Sequence, residues 1–295
     1  MFSFTSMPSP GEREKAAVRA LEAACSAFDG THFETFLSNQ FNVRPEMDAF
    51  FFCWQEGTLA GCLSLYADEE REAEVTAMVH PEARGQGVFR ALLARAAAAA
   101  APCGPVCFTF KTDAAFPQAE ALAARWGARL RSEEYLMAAS RRTAHAALLP
   151  GLAVGPARED ELEALTDIEQ EAFGGTRAEA ARYIRGSYAG KEQALLAARL
   201  HGVPVGCASA DLAGRWAYLY GVCVAAAHRG KGVGTGLLRG ALEALAPLTP
   251  KRPALSVETD NAPALRLYTA AGFAREATLR YYTLGPQWVR GRAGL

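Results

Sequence analysis

Two tandem domains of the α/β (α+β) class, each a mixed central sheet flanked by helices, are predicted by three observations. The first is an internal repeat. AFDGT at 27–31 returns as AFGGT at 172–176, GTLAGC at 57–62 as GVPVGC at 202–207, and ARGQGVF at 83–89 as HRGKGVG at 228–234. Each pair is 145 residues apart, as are Trp126-Gly127-Ala128 and Ala271-Gly272-Phe273, so the halves align without a net insertion. The second observation is the order of elements: a helical pattern opens the half, and strands then alternate with helices. The third is LLPGLAVGP at 148–156, where proline and glycine break any helix. It divides the chain into halves 1–148 and 152–295.

The elements follow in order. EDELEALTDIEQEAF at 159–173 carries Leu162, Leu165, Ile168 and Phe173 at roughly helical spacing. EQALLAARLHGVPVGCASADL at 192–212 reads as a hairpin that turns at His201-Gly202. AYLYGVCV at 217–224 alternates like a strand, and GTGLLRGALEALA at 234–246 reads as an amphipathic helix. ALSVE at 254–258 is a second short strand, and APALRLYTAAG at 262–272 a helix closed by glycine. In the first half Phe50, Phe51, Phe52 and Trp54 crowd an early strand. Core packing is the expected role, with a wall of a substrate cleft as the alternative. The alanines at 96–101 read as the end of a helix.

With 295 residues, half of them apolar, the chain has material for two cores. Thirty-one basic and thirty-two acidic residues leave a charge of -1, which argues against a nucleic-acid partner. Cys25, Cys53, Cys62, Cys103, Cys107, Cys207 and Cys223 are odd in number and scattered, with neither a CxxC pair nor a histidine cluster. Buried free thiols in a reducing compartment fit that pattern better than disulfides or a metal site. The N-terminus lacks a signal-peptide pattern, and no apolar stretch approaches ~18 residues. A cytoplasmic protein with no membrane partner is expected.

HRGKGVGTGLL at 228–238 follows a strand and opens a helix. The first N–H groups of a helix are unpaired and carry partial positive charge, so the spot suits an anion. Glycines let a phosphate approach the backbone, and Arg229 and Lys231 add charge. A Walker A loop is excluded, because Lys231 precedes Gly232 instead of Ser or Thr; G-x-G-x-x-G is excluded, because its third glycine falls on Thr235 or Leu237. What remains is Arg229-x-x-Gly232-x-Gly234. The plain alternative is a tight strand-to-helix turn.

This arrangement resembles motif A of the GNAT superfamily of acyl-CoA-dependent N-acetyltransferases, [RQ]-x-x-G-x-[GA]. ETDNAPALRLYTAAGF at 258–273 resembles the second signature of that family through Asn261, Ala264, Leu265, Leu267, Tyr268, Gly272 and Phe273. The resemblance implies acetyl-CoA as cofactor. Backbone groups of Val222, Cys223 and Val224 would receive the pantetheine arm, and the N–H groups of Gly230, Lys231, Gly232, Val233, Gly234 and Thr235 the pyrophosphate. Asn261 would contact the cofactor, cap the following helix, or both.

The resemblance also implies direct transfer of acetyl to a bound amine. A strand N–H near Cys223 or Val224 would stabilise the developing oxyanion, and Tyr268 would protonate the departing thiolate. A phenol with an ordinary pKa of ~10 keeps its proton at neutral pH. The alternative for Tyr268 is plain packing with a satisfied hydroxyl. For the general base, Glu258 and a water bound by Tyr220 are candidates. The segment also resembles bacterial ribosomal-protein alanine acetyltransferases, including an aromatic RYY at 280–282. The glutamate base of those enzymes falls on Ser256 here. Cys223 is assigned to packing.

The halves are unequal. Tyr268 aligns with Ala123, Asn261 with Phe116 and Gly234 with Phe89, although Arg84, Gly85 and Gly87 persist. Catalysis is therefore expected in the second half, with the first binding CoA unproductively, shaping the acceptor cleft or serving as scaffold. Tyr135 is a further tyrosine that could reach a site by another route. The acceptor is a small-molecule or peptide primary amine. Mycothiol synthases resemble the tandem arrangement, so an amino-sugar precursor belongs among the acceptors. The alternative function is an acyl-CoA-sensing module without turnover.

Overall fold

The computed structural model describes residues 1–32, 34–104, 106–140 and 149–292. In the first half β1 (Phe2–Met7), α1 (Glu12–Asp29), β2 (Phe50–Gln55), β3 (Thr58–Tyr66), β4 (Glu72–Val79), α2 (Val88–Ala100), β5 (Cys107–Asp113), α3 (Pro117–Trp126) and β6 (Arg129–Ala139) follow one another. The second half runs β7 (Leu152–Pro156), α4 (Leu162–Phe173), α5 (Arg177–Ala189), β8 (Gln193–Leu200), β9 (Val203–Asp211), β10 (Ala217–Val224), α6 (Val233–Leu245), β11 (Pro253–Glu258), α7 (Ala262–Ala270), β12 (Phe273–Leu284) and α8 (Pro286–Arg292). Every predicted element is present within three residues. The helix α5 has no counterpart among the predictions. A Thr176–Glu179 capping box starts it.

The chain forms two compact units that are cut differently from the sequence halves. One comprises Met1–Glu134 with Ala277–Leu295, the other Tyr135–Glu276. The chain passes between units inside β6 and again inside β12. Leu148, where the expected first half ends, lies outside the described residues. Tyr135 belongs to the second unit, where the Arg275 guanidinium lies 4.8 Å from its ring. Arg280, Tyr281 and Tyr282, which lie within the expected second half 152–295, belong to the first unit. There Leu279–Leu284 pairs antiparallel with Phe108–Asp113, and Tyr281 donates to Glu134 at 2.7 Å.

In the first unit β1, β2, β3 and β4 pair antiparallel in sequence order, and β4 pairs parallel with β5. Both faces are covered. Phe50 and Phe52 pack with Val18, Leu21 and Cys25 of α1, while Phe51 and Cys53 pack with Leu92, Leu93 and Ala96 of α2. That is why three consecutive phenylalanines are buried and β2 shows no apolar–polar alternation. Core packing is their role. The second unit repeats the plan: β7, β8, β9 and β10 form an antiparallel run, and β11 joins β10 in parallel. Leu237, Leu238, Ala241 and Leu242 of α6 cover one face; Leu165 and Ile168 of α4 and Ile184 of α5 cover the other. Both hairpins turn on a residue pair with positive φ, Glu56-Gly57 at 51° and 82° and His201-Gly202 at 51° and 84°. This is the backbone of a two-residue type I′ turn.

The turn that leads into α4 is pinned by a buried ion pair. The Arg199 guanidinium meets both oxygens of Glu161 at 2.5 Å through Nε and Nη2, and Nη2 also donates to the Pro156 carbonyl at 2.8 Å. The Arg158 N–H also donates to Glu161, at 2.7 Å. Hydrogen bonds from Arg199 hold the Glu161 carboxyl below its usual range. Arg199→Met, which leaves that carboxylate only the Arg158 side chain at 2.8 Å as a charged partner, should destabilise the fold by about 1–3 kcal/mol at neutral pH. A carboxyl with a lowered folded pKa stabilises fully above its unfolded value of about 4.3, and the contribution disappears as pH falls through the folded value. Urea unfolding of both proteins at pH 7 and pH 3 should therefore show the difference shrinking at the lower pH.

Candidate active site

The second unit opens a gap in its own sheet. Tyr220 pairs with Ser209 and Cys223 with Cys207, so β10 carries one residue more than β9 over this stretch. The result is a β-bulge, with Gly221 at φ 58°. On its other edge β10 pairs with β11 only at Ala217↔Pro253 and Tyr218↔Ala254. Beyond these positions the outer edge of β10 has no β11 partner. The Ala225 N–H donates to Val205 at 2.9 Å. Successive amides of a strand point to opposite edges, so the Val224 N–H points into the gap.

The glycine loop stands at the mouth of this gap. Gly230 and Gly232 have φ of 70° and 83°, a region that only glycine enters at no cost, and Gly232 is the N-cap of α6. The Arg229 N–H bonds to Ala226 and the Gly236 N–H to Gly232. Between them, the N–H groups of Gly230, Lys231, Gly232, Val233, Gly234 and Thr235 have no hydrogen-bond partner among the described residues. Six adjacent donors at a helix N-terminus form a cradle for an anion. Arg229 and Lys231 brace this loop: Arg229 donates to the Val224 carbonyl at 2.9 Å, Lys231 to that of Ala227 at 2.8 Å. An added Cβ at Gly234 would lie 3.7 Å from Leu267 and 3.9 Å from Val224. Loop, strand end and α7 therefore converge on one place.

Tyr268 lies on α7 among these residues, 8 % exposed, with its ring 6.0 Å from that of Phe273. Its hydroxyl has no hydrogen-bond partner among the described residues, yet it is not one of the sealed polar atoms, so it meets accessible space. Burial pushes its pKa above the ordinary value, with the neighbouring Tyr218 adding to the effect. Asn261 caps α7 by accepting the Ala264 N–H at 3.2 Å. Cys223 is buried with its sulfur 3.4 Å from that of Cys207, and this contact, with burial, pushes the Cys207 thiol up. The packing role assigned to Cys223 fits that setting.

The candidate bases differ in setting. The Tyr220 hydroxyl donates to Gln193 at 2.6 Å and contacts the Ser187 hydroxyl at 2.9 Å, and burial raises its pKa. Glu258 is exposed at the end of β11, and its carboxylate has no partner among the described residues. Sequence reasoning passed over Glu169. It sits on α4, whose neighbouring side chains cover the face of Cys207 and Cys223, and burial with the nearby Glu179 raises its pKa. No motif marks it; only the packing of α4 and α5 gives it this environment.

The profile of the Acetyltransferase (GNAT) family matches residues 16–128 and again 162–273. The chain belongs to that family. Several solved structures share the fold over nearly its whole length. A GCN5-related N-acetyltransferase from Sphaerobacter thermophilus is 18 % identical with a TM-score of 0.71, covering 96 % of this chain and 95 % of that one. A tandem GNAT protein from the clavulanic acid biosynthesis pathway is 18 % identical with a TM-score of 0.70, covering 97 % and 99 %. A GNAT-family acetyltransferase from Colwellia psychrerythraea is 14 % identical with a TM-score of 0.59, covering 95 % and 99 %. No curated protein matches the chain in sequence.

The first unit carries the same GNAT frame with other side chains. Its β4 and β5 pair from Glu72↔Cys107 to Val75↔Phe110 and then part, and Arg84 donates to the Val79 carbonyl as Arg229 does to Val224. At the position equivalent to Tyr268 stands Ala123, and at that of Asn261, Phe116.

The bulge of this GNAT sheet sets a sharp tolerance. A Cβ at Gly206 would lie 2.6 Å from the Cys223 carbonyl oxygen, whereas one at Gly234 meets nothing nearer than 3.7 Å. Gly206→Ala should therefore destabilise the protein by roughly 1–3 kcal/mol, and Gly234→Ala should leave its denaturation midpoint nearly unchanged. Urea melts of the two variants check this contrast.

Proposed function

We propose that this GNAT protein is an N-acetyltransferase that transfers acetyl from acetyl-CoA to a primary amine, with the second unit as catalytic site. The reading is supported by three features of the second unit: the gap beside β10, the six unpaired N–H groups of the loop, and the unpaired Tyr268 hydroxyl on α7. The residues present fit CoA: the 230–235 amides suit its pyrophosphate, and the open edge at Val222, Cys223 and Val224 suits the amide-bearing pantetheine arm. Arg229 and Lys231 serve by holding the loop, and Asn261 by fixing the start of α7.

Acetyl-CoA, when bound, supplies the thioester carbon that the amine attacks. The Val224 N–H donates to the carbonyl oxygen as negative charge develops there. Tyr268 gives its proton to the sulfur that leaves as the C–S bond breaks, and its raised pKa keeps it protonated until then. The amine loses a proton to a carboxylate. Glu169 is the base we favour, because burial moves it toward neutrality and because α4 and α5 cover the face of the sheet opposite to the loop and α7. The amine would then arrive from one face and the thioester from the other. Glu258 is the competing base. Tyr220, tied to Gln193 and Ser187, serves as a fixed polar wall that can hold a water.

Thiol release from acetyl-CoA over a panel of primary amines tests the reading. Tyr268→Phe should lower kcat by about 10²-fold or more while CoA affinity by calorimetry stays within twofold. Tight CoA binding without turnover on any amine would favour the sensing module, and no CoA binding would end both readings.

The pH profile follows from the raised values. Activity should rise with pH through a limb above the ordinary carboxylate range of about 4.3, and fall only above the ordinary phenol value of about 10. Glu169→Gln should abolish the acidic limb. If Glu258→Gln abolishes it instead, Glu258 is the base.

A further inference from the structure

A cavity of about 810 Å³ lies within the first unit, lined along its length by Phe89, Phe110, Trp126 and Ala123. This volume falls in the range of small-ligand sites. Its walls are aromatic where the second unit is small or aliphatic. Phe89-Arg90 replaces Gly234-Thr235, Arg125-Trp126 replaces Ala270-Ala271, and Phe110 replaces Leu255, all at the 145-residue offset. Two of the dipeptides have thus each become an aromatic beside an arginine, and all four of these residues line the cavity.

The aromatics are held in place by one another. Phe89 stacks on Trp126 with centroids 5.7 Å apart and planes 15° from parallel, Phe110 lies 5.9 Å from Trp126, and Trp288 backs Trp126 at 4.9 Å. The Phe89 ring therefore occupies space that Gly234 leaves open beside the loop of the second unit. An aromatic wall of this kind favours a flat ring over a flexible polar arm.

The charges select the other end of the ligand. Asp29 is neutralised by Arg84 at 2.8 and 2.5 Å. Asp113 accepts the N–H groups of His32 and Ala115 at 2.8 and 2.9 Å, and Lys111 lies 3.6 Å from Glu74. Arg90 and Arg125 are exposed and have neither an ion pair nor a hydrogen bond among the described residues. The uncompensated charge of the lining is positive, and guanidinium is well shaped for a carboxylate.

We propose that the cleft of the first unit is a binding site for an aromatic carboxylate, its ring against Phe89 and Trp126 and its carboxylate on Arg90 and Arg125. The site is distinct from the CoA cleft proposed in the second unit, and its ligand undergoes no chemistry there, since no hydroxyl replaces Tyr268 at Ala123.

Calorimetry on the full chain with 2-naphthoate, 2-naphthol and CoA tests this. One molecule of 2-naphthoate should bind and shift the indole N–H resonance that disappears in Trp126→Phe. The double variant Arg90→Thr, Arg125→Ala installs the residues of the second unit at exposed positions. It should weaken 2-naphthoate at least tenfold while 2-naphthol and CoA stay within twofold. Absence of 2-naphthoate binding, an unchanged affinity in the double variant, or displacement of 2-naphthoate by CoA from the Trp126 site would each overturn the proposal. Failure of CoA to bind anywhere would touch only the reading of the second unit.

Discussion

In the second unit the parallel contact between β10 and β11 lasts for two register positions and then ends. A strand edge that loses its partner inside a covered sheet leaves backbone donors and acceptors to be satisfied by something else. The bulge at Gly221 turns the end of β10, and the loop of residues 230–235 supplies a further row of unpaired amides at the same mouth. The rest of the site depends on this parting. Without it the Val224 N–H would be spent on the ladder.

The GNAT frame achieves this with two covered faces. Burial of α6 and α7 on one side and α4 and α5 on the other fixes the sheet while its centre stays open. A gap in an uncovered sheet would be filled by water, and its amides would be worth little to a ligand. The charged residues around the loop act mainly on the protein itself. Arg229 and Lys231 reach backbone carbonyls a few residues back, so the loop's shape is set by the protein's own contacts. Preorganisation of this kind avoids an ordering cost on binding.

The two units show how one backbone accommodates different contents. Arg84 and Arg229 make the same hydrogen bond to a strand end, yet Arg84 is also clamped by Asp29. Where the second unit has Gly234, Ala271 and Tyr268, the first has Phe89, Trp126 and Ala123. The exchange replaces a tyrosine hydroxyl with a methyl group at that position and lines the cleft with stacked rings. The fold tolerates it because the cleft carries little of the core: Leu92 and Leu93 hold α2 on the sheet much as Leu237 and Leu238 hold α6.

The repeat, the element order, the hairpin turn at His201-Gly202 and the glycine loop before α6 were legible in the sequence, because each is a local pattern: a spacing, a periodicity, or a glycine where φ must be positive. Tyr268 and Asn261 were legible through the resemblance of residues 258–273 to the second signature of the family. Three things required the folded chain. The passage of β6 and β12 between units depends on which strands pair, and pairing between residues more than a hundred positions apart leaves no mark on either segment. Glu169 gains its raised pKa only from the helix and strand packed around it. The aromatic box of the first unit joins Phe89, Phe110, Trp126 and Trp288 from four separate elements. Local sequence sets backbone conformation and which face is apolar; the company a side chain keeps is decided by long-range packing.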